Sequence, residues 1–157
     1  MNLEFRFARR DDAALVLQFI RELAVYEKME QEVVATEDTV LEWIFDKQSA
    51  QVIFAMVDGK EVAFAVFCQN FSTFVGRAGL YLEDVYVRPE FRGHGIGTAI
   101  LKKLAAIAVE RGYGRMEWQC LDWNEPSIEF YFSLGAVRMD GWSTYRLAGD
   151  ALKNMAK

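Results

Sequence analysis

The segment from Leu80 to Arg111 restricts this chain more than any other. It reads as an extended apolar run, LYLEDVYV (80–87), then a turn-rich RPEFRGHGIG (88–97), then helical patterning. Gly93, Gly95 and Gly97 fall within five residues, at the point where the strand gives way to the helix. Glycine lets neighbouring backbone N–H groups converge with no Cβ in the way, and the helix N-terminus adds about half a positive charge. A strand, a glycine turn and a helix start in this order form a cradle for a phosphate or pyrophosphate. The fold must therefore bring the end of one strand against the beginning of one helix.

Spacing decides between the familiar cradles. A dinucleotide fingerprint, G-x-G-x-x-G, would need a glycine where Thr98 stands, and no acidic residue follows at the end of a second strand to hold a ribose. A Walker loop needs a lysine after its last glycine, whereas Gly97 is followed by Thr98 and Ala99. The pattern that fits is R-x-x-G-x-G, from Arg92 through Gly93, His94, Gly95 and Ile96 to Gly97. It resembles the acetyl-CoA loop of the GNAT superfamily of N-acetyltransferases.

Composition narrows the remaining choices. A chain of 157 residues, 52% apolar, has the size of one domain with a substantial core. No apolar run approaches the roughly 18 residues of a membrane span. The opening MNLEFRFARRDD has no apolar signal core, and Cys68 and Cys120 lie in strand-like runs as small core residues. A reduced, cytoplasmic setting is the expectation. One histidine and two distant cysteines give no metal site, so none is expected, and His94 is expected to line the glycine loop or face solvent. The net charge of −5 argues against a nucleic-acid surface and suits a cationic substrate.

Periodicity predicts one α/β unit over 1–157. Leu3, Phe5 and Phe7 alternate as a strand; Asp11 or Asp12 caps a helix carrying Leu15, Phe19, Leu23 and Tyr26; Thr36 caps a second, ending near Phe45. Strands at 51–57 and 61–70 flank the hairpin signal Asp58-Gly59, and the strand at 80–87 follows. The helix from about Gly97 buries Ile100, Leu101, Leu104, Ile107 and Ala108 and ends at Gly112. A strand at 115–121 precedes a helix capped by Asn124 and running to Phe132; strands at 137–140 and 143–147 close the chain as a hairpin around Gly141. With only one plain strand–helix–strand crossover, a mixed sheet is expected rather than a doubly wound one. The GNAT resemblance implies the same sheet, with two central parallel strands splayed apart and flanked by helices.

A second constellation lies in NEPSIEFYFSLGA (124–136). From Asn124, positions 127, 128 and 131 return to one helix face, so Ser127 and Tyr131 share a stripe with the cap. On that spacing alone Tyr131 could equally be a core residue. The pattern as a whole resembles the stretch where the superfamily carries its general-acid tyrosine, which matches Tyr131. Together with ELAVYEKME (22–30), GLYLEDVYV (79–87), FRGHGIGTAILKKLA (91–105) and DGW (140–142), it resembles the diamine acetyltransferases, the spermidine/spermine and thialysine group, over nearly the whole chain.

That resemblance implies a division of labour. Acetyl-CoA would be the cosubstrate, its pantetheine arm lying along the backbone of Val85, Tyr86 and Val87. Its pyrophosphate would be held at Arg92, Gly93, His94, Gly95, Ile96, Gly97 and Thr98, and its amides by Asn124 and Ser127. Tyr131 would protonate the departing thiolate. A primary amine of pKa near 10.4 is about 99.9% protonated at pH 7, and exposing its lone pair costs roughly 4–5 kcal/mol, so a base is needed. Glu83 matches the glutamate to which the family gives that role, acting through water. Tyr26, Glu27, Glu83, Asp84, Glu117, Trp118, Gln119 and Asp140 would line the amine site, although Tyr26 and Glu27 by themselves read as the wet end of an amphipathic helix. Regular strand alternation sends Glu83 and Asp84 to opposite faces of the sheet. The chain departs from the family where Phe132-Ser133-Leu134 replaces basic residues after the tyrosine, leaving Lys102, Lys103 and Arg138 as the candidate phosphate contacts. The expected activity is acetyl transfer to a small amine by direct attack, the expected assembly a homodimer. The alternatives are a protein lysine or N-terminus as acceptor, or an acyl-CoA sensor without turnover.

Overall fold

The computed structural model describes all residues, Met1–Lys157. By its internal contacts the chain divides into Met1–Gln119 and Cys120–Lys157.

The first unit is a five-stranded sheet with its strands in sequence order: β1 (Leu3–Phe7), β2 (Gln51–Val57), β3 (Lys60–Ser72), β4 (Arg77–Val87) and β5 (Met116–Trp118). The first four are antiparallel to their neighbours, and β5 joins β4 in parallel. This is the mixed sheet that the single crossover implied. The β2–β3 turn, Asp58-Gly59, has positive φ at both residues (49° and 81°), the two-residue hairpin geometry matched to strand twist.

Both faces of the sheet are buried. On one, Val52, Phe54, Phe64, Val66 and Tyr86 form a core with Ala13, Val16, Phe19 and Leu23 of helix α1 (Ala13–Tyr26), and with Val40 of the short helix α2 (Glu37–Val40). Thr36 caps α2 as predicted, donating to and accepting from Thr39, and the helix continues as a π-helical turn, Leu41–Asp46. On the other face, Ala63, Ala65, Phe67, Leu80 and Leu82 are buried, and α3 (Ile96–Glu110) packs against β4. The buried stripe of α3 is Ile96, Ile100, Leu101, Leu104, Ile107 and Ala108, extending the predicted set by Ile96.

Two arginines fix α1 to the sheet. Arg6 on β1 donates to both oxygens of Asp12 (2.7 and 2.9 Å) and to Glu61 (2.7 Å), with its guanidinium 4.8 Å from the Phe54 ring centre. Asp12 thus stands at the start of α1 without capping it by a side-chain bond; its carboxylate takes Arg6 and the Arg9 amide instead. Arg88, just past β4, makes a two-pronged bond to Glu22 (3.0 Å each) and lies 4.4 Å over Phe19. Glu22 is one turn before Tyr26, so this bond sets the end of α1 relative to the end of β4.

The second unit holds α4 (Glu125–Ser133) and α5 (Gly149–Met155). Asn124 caps α4 as its sequence predicts, accepting the Ser127 amide at 3.4 Å. The expected final hairpin is not formed: 136–147 contains no strand, and a helix follows it. The alternation of Val137, Met139, Tyr145 and Leu147 with polar residues is a local strand signal, but a strand also needs a hydrogen-bonding partner, and none pairs with this segment. The predicted strand at 115–121 is likewise shorter, limited to Met116–Trp118.

Candidate active site

The site begins with a defect in β4. Val66 pairs with Asp84 and Phe67 with Leu82, which leaves Glu83 as an extra residue without a cross-strand partner. Such a bulge bends the strand and re-aims side chains. It also cancels the alternation that would have put Glu83 and Asp84 on opposite faces. Asp84 is two residues from Tyr86 with regular pairing between them, so it shares the face of Val66 and Tyr86 beneath α1. Beyond the bulge, Leu82 turns to the α3 face with Leu80, and Tyr81, opposite Cys68, takes the α1 face.

Acidic groups gather there. Burial first, then the charges of Glu83 and Glu27, push the Asp84 carboxyl up to about 7. Burial also raises Glu27, the residue after α1. Glu83 is exposed, while Glu27 and Asp84 are half-buried. None of the three forms a salt bridge with a cation of the chain, although Arg6, Arg10, Lys47, Arg88, Arg115 and Arg138 are all so paired. Tyr81 is pushed up by burial and then by Glu83, Cys68, Asp84 and Glu117; Cys68 is raised by burial and Glu83. Tyr81 and Cys68 therefore belong to this polar face. The sequence reading missed Tyr81 and placed Cys68 in the core. The signal available was the pair of acids within an apolar strand, which marks a bulge and hence a change of face.

Tyr26 closes the side of the site nearest the glycine loop. Its ring meets Tyr86 edge-on at 6.4 Å, and the Arg92 guanidinium lies 4.8 Å from the Tyr26 ring centre and 5.4 Å from that of Tyr86. Arg92 also donates from Nε to the Val87 carbonyl at 2.9 Å. The predicted loop arginine is thus turned towards the tyrosines.

The loop has the geometry its glycines promised. Gly93 and Gly95 have φ of 81° and 78°, and a Cβ at either would meet nothing within 4 Å, so glycine serves the backbone conformation there and leaves open space beside it. Gly95 is the left-handed N-cap of α3, with no side-chain cap. The amides of Ile96, Gly97 and Thr98 open the first turn, where no intrahelical acceptor exists. Ile96 buries its side chain, so only its backbone is offered, and the His94 side chain is exposed.

The parallel pair completes the arrangement. β5 pairs with β4 at Leu80, Tyr81 and Leu82 only, through Met116, Glu117 and Trp118. From Glu83 onwards, including Val85, Tyr86 and Val87, β4 has no paired strand on that side, because β5 ends at Trp118. Glu117 sits beside Tyr81 and forms a bridge with Arg115 (3.1 Å); Trp118 is half-buried and Gln119 ends the unit exposed. These donors suit a CoA-type group: unpaired strand backbone for an amide-bearing arm, then amides at a helix start for a pyrophosphate.

Asn124, Ser127, Tyr131 and Asp140 belong to the second unit. Ser127 and Tyr131 are half-buried on α4, Asn124 is buried at its cap, and the Tyr131 ring lies 5.6 Å from Phe130. Asp140 is ion-paired with Arg138 (3.2 Å), which also reaches Asp122 (3.5 Å), so Arg138 is committed to carboxylates. Lys102 and Lys103 lie exposed on α3. An open concavity of about 730 Å³ on the outer side of α1, lined by Gln18, Arg21, Glu22 and Arg88, contains none of the predicted residues.

A mixed sheet with one short parallel pair, an amide cradle at α3 and a carboxylate cluster at a β4 bulge suit an acyl-transfer scaffold. The model of the acetyltransferase (GNAT) family matches residues 17–136, and the chain belongs to that family. A thialysine N-epsilon-acetyltransferase from Bos taurus is 34% identical over 163 residues, covering 96% of this chain and 95% of that protein. A spermidine/spermine N(1)-acetyltransferase-like protein from Homo sapiens is 30% identical over 98% of this chain but only 24% of its own length. Among solved structures, an integron cassette protein from the mobile metagenome of V. cholerae superposes with a TM-score of 0.83 at 28% identity, covering 100% of this chain and 99% of its own.

Proposed function

We propose that this acetyltransferase carries the acetyl group of acetyl-CoA to a primary amine of a small cationic molecule, a polyamine, diamine or lysine analogue. The observation that carries the reading is the set of carboxylates, Glu27, Glu83 and Asp84, gathered on one side of the β4 bulge without a cation of their own. An ammonium group supplies the missing charge, and charge-assisted hydrogen bonds favour it there. The names of the relatives, thialysine and spermidine/spermine acetyltransferases, point to the same class of acceptor.

The residue roles are those the family resemblance implies, Tyr81 excepted. Bound acetyl-CoA supplies a thioester carbonyl open to nucleophilic attack. The amides of Gly93 to Thr98 hold its pyrophosphate, the backbone of Val85 to Val87 aligns its arm, and Asn124 and Ser127 bond its amides. Tyr26, Glu27, Asp84, Tyr81, Glu117, Trp118, Gln119 and Asp140 orient the amine. Its proton passes to the carboxylate pair of the bulge, where the family resemblance points to Glu83 through water. Tyr131 protonates the leaving thiolate. No covalent acyl-enzyme forms.

The whole chain acts as one N-acetyltransferase domain, a reading supported by the family match running across the boundary between the units. It works as a homodimer, for which the exposed Trp142, Tyr145 and Leu147 of the second unit supply apolar surface. The free thiols of Cys68 and Cys120 suit a reducing, cytoplasmic setting. The deciding assay is release of CoA thiol from acetyl-CoA with spermidine, putrescine, lysine and thialysine in parallel. Turnover with at least one is expected. Silence with all four, while CoA still binds, would reject the small-amine reading.

A further inference from the structure

We infer that Arg88 and Glu22 are positioning residues for the amine: their ion pair ties the last turns of α1 to the end of β4 and so sets where Tyr26 and Glu27 stand. The inference rests on the proposed acetylation of an amine at this site.

Arg88 is fixed in the sheet before it reaches the helix. Its backbone N–H donates to the Val62 carbonyl at 3.0 Å, and its Nη1 donates to the Glu61 carbonyl at 3.1 Å. Its Nε and Nη2 donate to the two oxygens of Glu22 at 3.0 Å each, while the guanidinium lies 4.4 Å from the centre of the buried Phe19 ring. A planar fork that meets a carboxylate at two points fixes direction as well as distance. The two side chains are only 22% and 28% exposed, so water competes for this pair less than for one on the open surface.

What the pair holds is the end of α1 that carries the amine-site residues. Phe19, Glu22 and Tyr26 follow at helical spacing and share one stripe of α1. Tyr26 lies one turn beyond Glu22, about 6 Å along the axis, and Glu27 follows where the helix ends. The chain after Arg88 meets the same stripe a second time. Pro89–Phe91 forms one 3-10 turn, and Arg92 beyond it lies 4.8 Å from the Tyr26 ring centre with its Nε on the Val87 carbonyl. The amine wall and the entry to the glycine loop are thus joined through residues 88–92. The start of α1 has a separate anchor, Arg6 to Asp12, but Asp12 is about 20 Å along the axis from Tyr26. One anchor holds the helix; the other aims its end.

The two substrates depend on this anchor unequally. Acetyl-CoA rests on the backbone of Val85 to Val87 and the amides of Gly93 to Thr98, to which neither the Arg88 nor the Glu22 side chain bonds. The amine rests on Tyr26 and Glu27, and a displacement of about 1 Å in such groups costs up to about a hundredfold. An acceptor with a second ammonium needs a carboxylate for that charge as well, so it depends on the placement of Glu27 more than a monoamine does. Loss of the pair should therefore weaken amine binding and narrow the preference for doubly charged acceptors.

The test measures kcat and the KM of each substrate in wild type, Arg88→Met, Glu22→Ala, the double variant and Asp12→Ala, with urea unfolding of each. The acceptors are whichever of spermidine, putrescine, lysine and thialysine wild type turns over fastest, and a monoamine of similar length. Arg88→Met and Glu22→Ala are each expected to raise KM for the first acceptor about tenfold, to raise it less for the monoamine, and to leave KM for acetyl-CoA within about twofold. The double variant should be no worse than the more affected single one, because both changes remove the same interaction. Asp12→Ala, which frees the other end of α1, is expected to lose stability and keep the wild-type KM for the amine. Lower kcat or stability in Arg88→Met with an unchanged amine KM would overturn the inference, and so would an equal rise of that KM in Asp12→Ala. Either result would make the pair a clamp for the fold alone. If Arg88→Met did not fold, Glu22→Gln, which keeps the shape and loses the charge, would decide by the same change in KM. Wild type inert towards every amine would instead reject the amine reading, and this inference with it.

Discussion

Asp12 and Asp84 carry the same carboxyl group and respond to folding in opposite senses. The hydrogen bonds of Arg6 hold Asp12 and Glu61 below the usual carboxylate range, against a smaller effect of burial. Both therefore stabilise the fold at neutral pH and lose that contribution as the pH falls through their lowered values. Asp84 is raised, so its folded form is favoured most when protonated. The penalty for its charge sets in above the unfolded value of 3.8 and is complete once the pH passes about 7. Asp84→Asn should accordingly stabilise the protein by about 2–4 kcal/mol at pH 8 and by almost nothing at pH 3.5, read from urea unfolding at each pH. Equal effects at the two pH values would mean that Asp84 is not strained by its charge. A variant both more stable and less active is the mark of a group kept for function.

At the scale of elements, the bulge separates what the sequence shows from what it hides. The strands, α1, α3, the Asp58-Gly59 turn and the Asn124 cap are legible because each depends on periodicity or on one residue's local bonding. The bulge is a property of two strands in register. No reading of β4 alone shows that Val66 and Phe67 skip Glu83, and so Tyr81 was missed and Asp84 was assigned away from its partner acid. The absent hairpin at 137–147 is the same lesson reversed, a local pattern without a pairing strand. The positive φ of Gly93 and Gly95 was legible in the loop's spacing, whereas the turning of Arg92 onto Tyr26 and Tyr86 was not. Deleting Glu83 tests what the bulge does. With it gone, Leu82 and Asp84 would follow one another in unbroken pairing with Phe67 and Val66. The deletion should leave the denaturation midpoint near wild type and reduce kcat by about a hundredfold or more. A collapse in stability would show that the bulge is needed for folding itself.

For the whole molecule, charge is the controlling quantity. A chain of net charge −5 that concentrates unpaired acids at one site attracts a polycation over distances longer than a hydrogen bond. Salt shortens that reach, since the screening length falls from about 10 Å at 0.1 M to about 3 Å at 1 M. KM for a polyamine should therefore rise several-fold between 0.05 and roughly 0.5 M salt with kcat little changed. A monoamine of similar size should respond less. Steady-state rates for the two acceptors at matched salt would show it, and identical salt slopes would count against electrostatic capture.

The end of the β4–β5 pairing at Leu82 has a consequence outside catalysis. A strand whose backbone is unpaired along one side is a template on which another chain can add, and proteins guard such edges with charge, proline or irregular pairing. Here the open stretch begins at the looped-out Glu83 and ends at Arg88-Pro89, so all three guards flank it. The residue that disrupts the ladder to gather carboxylates also keeps the edge from sticking to its own kind. A neutral, regular β4 would lose solubility along with chemistry.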